Sequence, residues 1–182
     1  MFRYRKSLVV PAIWMAAFFS IATCACANPA NDLRNAAARG DTSRIAELLD
    51  RGVAVDPATA GRRSALMEAA GRGQVAAVKR LLAAGAKLDT VDRQHKTALI
   101  LAIIPGHDEV VSLLLAAGAN PDVADANGKT ALHWATLRGR IAAARLLLAN
   151  HAEVNATDND GVTPLLIAAG RGDTVLLRLL VE

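Results

Sequence analysis

His133 stands beside Trp134 in the stretch GKTALHWATLRGR, residues 128–140, which closes on two arginines around a glycine. A histidine in such company is the first candidate in the chain for acid–base chemistry. It has no visible accomplices. Beyond Ala27 the only serines are Ser43, Ser64 and Ser112, none inside a Gly-x-Ser-x-Gly elbow, and there is no cysteine nucleophile. His95, His107, His133 and His151 form no His-x-x-x-His or Glu-x-x-His pair that would set two metal ligands on one helix face. The run Asp158 to Gly161, DNDG, resembles the start of a calcium loop, but Ile167 stands where the closing acidic ligand belongs. No glycine-rich phosphate loop occurs either. The expectation is a protein with no catalytic residues, no cofactor and no dedicated metal site.

Composition narrows the partners. The chain has 182 residues and a formal charge of +4, and setting aside Arg3, Arg5 and Lys6 leaves 18 basic against 17 acidic side chains. That balance argues against nucleic acid as a partner. The opening MFRYRKSLVVPAIWMAAFFSIATCACANPA has a basic start, an apolar run from Leu8 to Ala22 and a small-residue Ala25-Cys26-Ala27 ending, the layout of a secretory signal peptide. The run falls short of the roughly 20 residues that a membrane-crossing helix takes. Cleavage after Ala27 and export to the periplasm of a bacterium are therefore expected. The alternatives are a retained anchor or a lipid on Cys24, and only these would bring the chain to a membrane. Residues 28–182 contain no cysteine and one aromatic, Trp134, so the core must be built from Leu, Ala, Ile and Val without disulfides.

What would position His133 emerges from counting in steps. Ser64, Thr97, Thr130 and Thr163 follow one another at a single constant spacing, and Gly40, Gly73, Gly106, Gly139 and Gly172 keep the same spacing, as do Leu48, Leu81, Leu114, Leu147 and Leu180. A fixed period of about 33 residues is the signature of a stacked repeat. The hydroxyl column suits helix N-caps, and Pro164 follows Thr163 where a missing N–H costs nothing. The first glycine column suits a left-handed stop after a short helix. A second helix, as in DEVVSLLLAAG, ends at Gly52, Gly85 and Gly118, with His151 breaking the column in a conformation histidine tolerates comparatively well. Polar segments such as NPDVADANGK read as tight turns or hairpin fingers between helix pairs.

The third unit, DRQHKTALILAIIPGHDEVVSLLLAAGANPD, and the fourth, DANGKTALHWATLRGRIAAARLLLANHAEVN, resemble the ankyrin repeat pattern. Departures are Ala for Pro in three units, Pro105 before Gly106, and Arg62 and His95 where the finger usually has glycine. The resemblance implies an all-α solenoid of five helix-turn-helix units, residues 28–58, 59–91, 92–124, 125–157 and 158–182, with hairpin-like finger turns. It implies that His133 bonds to its own turn and to the neighbouring unit. It also implies a non-catalytic module whose concave face of fingers and first helices binds another protein, such as an envelope enzyme.

On that face Ile104, Leu137 and Trp134 form an apolar group, rimmed by Arg63, Gln94, Lys96, Asn127, Lys129 and Arg138. An aromatic among aliphatics and arginines has the composition of a binding hot spot. Trp134 is equally placed to fill the groove between the third and fourth units. Arg39, Arg72, Arg138 and Arg171 recur before the inter-helix glycine, either to meet helix carbonyl ends or to make a basic stripe. The first helix, with Asp32, Arg34 and Asn35, reads as a solvated cap, and the last, TVLLRLLVE, as either an imperfect cap or an adhesive end.

Overall fold

A computed structural model describes residues 29–57 and 63–181. The leader, with Cys24 and Ala27, and Arg62 of the first finger lie outside the described residues. Within them ten helices form five pairs: α1 (Pro29–Arg39) with α2 (Thr42–Asp50), α3 (Ala65–Gly71) with α4 (Val75–Ala83), α5 (Ala98–Ile103) with α6 (Asp108–Ala116), α7 (Ala131–Leu137) with α8 (Ile141–Ala149), and α9 (Pro164–Arg171) with α10 (Thr174–Val181). Odd helices pack on odd neighbours and even on even, giving two layers. This is the all-α solenoid the period implies.

The columns act as their chemistry requires. Ser64, Thr97 and Thr163 each accept a backbone N–H from three residues on, at 3.2 to 3.3 Å, which satisfies a donor the first helical turn leaves open. Thr130 departs from this expectation: its hydroxyl faces the ring of His133, 2.9 Å from Nδ1. The inter-helix glycines are left-handed, Gly106 at φ 93°, a conformation that side chains with a Cβ rarely adopt. His151 does adopt the left-handed conformation, φ 61°, as does His95 at φ 57°.

The leucine column from Leu48 to Leu180 is buried throughout and forms the spine of one continuous core. Between the inner helices the small pairs Ala36-Ala37 and Ala69-Ala70 are sealed from solvent, and Thr136 is hidden too because its hydroxyl donates to the Leu132 carbonyl at 2.8 Å. A buried leucine is worth about 1.5–3 kcal/mol in surface removed from water, so this spine replaces the absent aromatics and disulfides. Its protection fails at one end. Met67, Ile100 and His133 share one column and are sealed, while Leu166, next in that column, is 57% exposed. Val175 and Val181 of α10 are exposed as well.

Candidate functional site

Between the helix pairs each described finger is a turn closed on an aspartate. Asp92, Asp125 and Asp158 are spaced by the repeat period and are buried despite their charge. One oxygen of each accepts two backbone N–H groups: from Gln94 and Lys96 at Asp92, from Asn127 and Lys129 at Asp125, and from Asp160 and Val162 at Asp158, at 2.8 to 3.0 Å. This removes the calcium reading of DNDG, because the oxygens of Asp158 are already taken by protein donors. Successive fingers are stitched together, Ala126 N–H donating to the Gln94 carbonyl and Asn159 N–H to that of Asn127, both at 3.0 Å. A Cβ on Gly128 would meet Asn159 at 2.5 Å, so the close approach of those two fingers needs the glycine.

At Asp92 and Asp158 the second oxygen faces the preceding finger. Arg63 Nε donates to Asp92 at 3.3 Å and Lys129 Nζ to Asp158 at 2.6 Å. The Lys129 ammonium, followed by the Val162 backbone N–H, holds the Asp158 carboxyl down at about 2. Asp158 in turn raises Lys129. The middle step differs. Trp134 Nε1 donates to Asp125 at 3.0 Å in place of a cation, and Lys96 Nζ sits 4.9 Å from the centre of the indole ring. Arg138 lies 5.7 Å from the same centre.

Trp134 is thus half-buried, packed against the core and pinned by its N–H. Leu137, one turn on, and Ile104, at the matching position of the preceding unit, are also half-buried. Of the rim residues, Gln94 and Asn127 present exposed side chains, whereas Lys129 and Arg63 are engaged by the aspartates. The arginine row is not one device. Arg171 donates to the Leu137 carbonyl at 2.9 Å, Arg72 pairs with Glu68 at 3.7 Å, and Arg138 turns to the indole. Arg140, not singled out in the sequence, donates to the Pro105 carbonyl at 2.7 Å, closing the end of α5.

His133 is fully buried. Nδ1 accepts the Thr130 N–H at 3.2 Å, which places the ring proton on Nε2, 3.0 Å from the Val162 carbonyl of the next finger. The ring therefore holds its own turn and the neighbouring unit, and no reacting group can reach it. Among the described residues no three His, Cys, Asp or Glu side chains form a group fit for a metal, and no helix is long and apolar enough to cross a membrane.

Paired helices stacked in register, joined by aspartate-closed fingers and offering a polar and aromatic face, define a solenoid of interaction type. A model of the family described as ankyrin repeats (3 copies) matches residues 33–125, 78–158 and 117–182. The chain belongs to the ankyrin repeat family, whose members generally serve as protein–protein interaction modules. No curated protein matches it at a significant level.

Proposed function

We propose that this chain is a non-catalytic module that binds another protein through its finger face, with Ile104, Trp134 and Leu137 at the centre of contact and Gln94, Asn127 and Arg138 at the rim. The observation that carries the reading is the half-exposed Trp134 group on a face whose finger backbone is already bonded internally. Such a surface loses little freedom on binding, so contact there is not offset by ordering. The leader supports export to the periplasm, with the chain starting at Asn28 after cleavage. The rival tethered form rests on the IATC sequence and would start at a modified Cys24, so mass spectrometry of the mature N-terminus separates the two.

Photo-crosslinking in the native cell tests the binding face. A benzophenone side chain at Asn127, on a finger tip, should capture a discrete protein adduct that the same group at Ala149, exposed at the end of α8, does not. Equal capture from both positions, or from neither, would refute the assignment.

A further inference from the structure

The finger ladder has a repeating charge logic that is broken at one junction. Where Asp92 and Asp158 stand, each carboxylate is matched by one cation from the preceding finger, Arg63 and Lys129. By the same step Lys96 should pair with Asp125, since Arg63, Lys96 and Lys129 hold equivalent places in successive fingers, each the same distance along the chain ahead of an aspartate of the column. It does not. Asp125 is filled by three neutral donors, the N–H groups of Asn127, Lys129 and the Trp134 indole. Lys96 is left over the indole, and Arg138 joins it there. Neither cation has a carboxylate partner among the described residues.

An aromatic ring attracts a cation without neutralising it and takes none of its hydrogen-bond donors. The donors of the lysine head and of the guanidinium thus remain available, fixed in place around a partly apolar platform. Counting Asp125 against them still leaves one positive charge over at this cluster. We infer that the Lys96, Trp134 and Arg138 cluster is the specificity centre of the finger face and takes a carboxylate side chain from an acidic segment of the partner protein. This rests on the finger face being the binding surface. The carboxylate would accept from both cations while its methylene stem lies on the indole.

The probe is a hexaglutamate peptide, titrated into the purified full chain carrying Trp14→Phe so that Trp134 is the sole tryptophan and is excited selectively. Saturable change in Trp134 emission is expected. Lys96→Gln and Arg138→Gln should each weaken binding about threefold to fivefold, the range of a solvent-facing ion pair, while Arg145→Gln on α8 leaves it unchanged. Raising ionic strength from about 0.01 M to about 0.15 M, which shortens the screening length from about 30 Å to about 8 Å, should weaken it further. Trp134→Phe removes the indole donor and frees Asp125 to capture Lys96, so calorimetry should show the peptide site lost in that variant.

The inference is overturned by an unresponsive Trp134, by binding indifferent to Lys96→Gln and Arg138→Gln, or by a DNA oligonucleotide that binds more tightly than the peptide at equal charge. Crosslinking from Asn127 keeps the two readings apart. An adduct that persists undiminished when both cations are replaced sinks the carboxylate centre and leaves the binding face standing. No adduct in the unaltered protein sinks the face itself.

Discussion

Replacing His133 gives the sharpest test of the reading that the ring is a structural bolt. The side chain is fully buried, accepts the Thr130 N–H at 3.2 Å and donates to the Val162 carbonyl at 3.0 Å. His133→Ala removes the contact at the start of α7, about 1 kcal/mol for a helix-start bond. It also removes one net hydrogen bond across the fingers, about 1 kcal/mol. The Val162 carbonyl is not orphaned by that loss, because it keeps the Asp158 N–H at 3.0 Å. The cavity left between sealed helices adds about 1–2 kcal/mol, for a total of about 3–4 kcal/mol. The chain supplies its own control. Met67 occupies the same column, and its Sδ accepts the Ser64 N–H at 3.4 Å. His133→Met should keep the volume and the helix-start contact and lose only the bond to Val162, about 1 kcal/mol. Urea unfolding followed by far-UV circular dichroism and by Trp134 emission measures both. An alanine variant that loses less than about 1 kcal/mol, or a methionine variant as damaged as alanine, would refute the account.

The ion pair at the last finger gives a pH test. Asp158 is lowered from 3.8 to about 2, principally by Lys129, so its contribution to stability is complete above 3.8 and disappears as pH falls toward 2. Urea midpoints across this range should fall less steeply in Lys129→Gln, where only the Val162 and Asp160 N–H groups still favour the charged carboxylate; an unchanged slope would count against the pair. At the two left-handed histidines, His95→Gly and His151→Gly should each raise stability by about 0.5–1 kcal/mol in the same assay, since glycine adopts a positive φ without strain. At the open end of the stack, Leu166→Ala should cost less than about 1 kcal/mol because the side chain is already in water, whereas Ile100→Ala, same column but sealed, should cost about 2–5 kcal/mol.

Much of this architecture was legible because a repeat announces itself through identical constraints met again and again. The hydroxyl, glycine and leucine columns each encode one local event, a helix start, a left-handed stop or a buried contact, and local events can be read from spacing. The aspartate column carries the same period, yet DNDG taken alone looks like a metal loop; stepping back one period from Asp158 to Asp125, and again to Asp92, is the signal that identifies it. The state of Trp134 was not legible. Whether an indole faces the core or the solvent depends on which acceptor its N–H finds, and here that acceptor is Asp125, in the finger that precedes the helix. The arginine row kept its helix-end role only at Arg171, for a related reason: equal spacing places the Cα atoms alike, but each long side chain goes to the nearest acceptor or ring, and those differ from unit to unit.

The cluster around Trp134 is assembled from two units, Lys96 on one side of a junction and Asp125, Trp134 and Arg138 on the other. It therefore belongs to a boundary rather than to a repeat. In evolutionary terms the solenoid can lengthen or shorten by whole units at boundaries that continue the leucine spine without touching the cluster, and on the proposed reading what it recognises stays the same. A unit inserted between positions 124 and 125 would part the lysine from the indole and, on the proposed reading, erase the recognition while the leucine spine carried on through a longer solenoid.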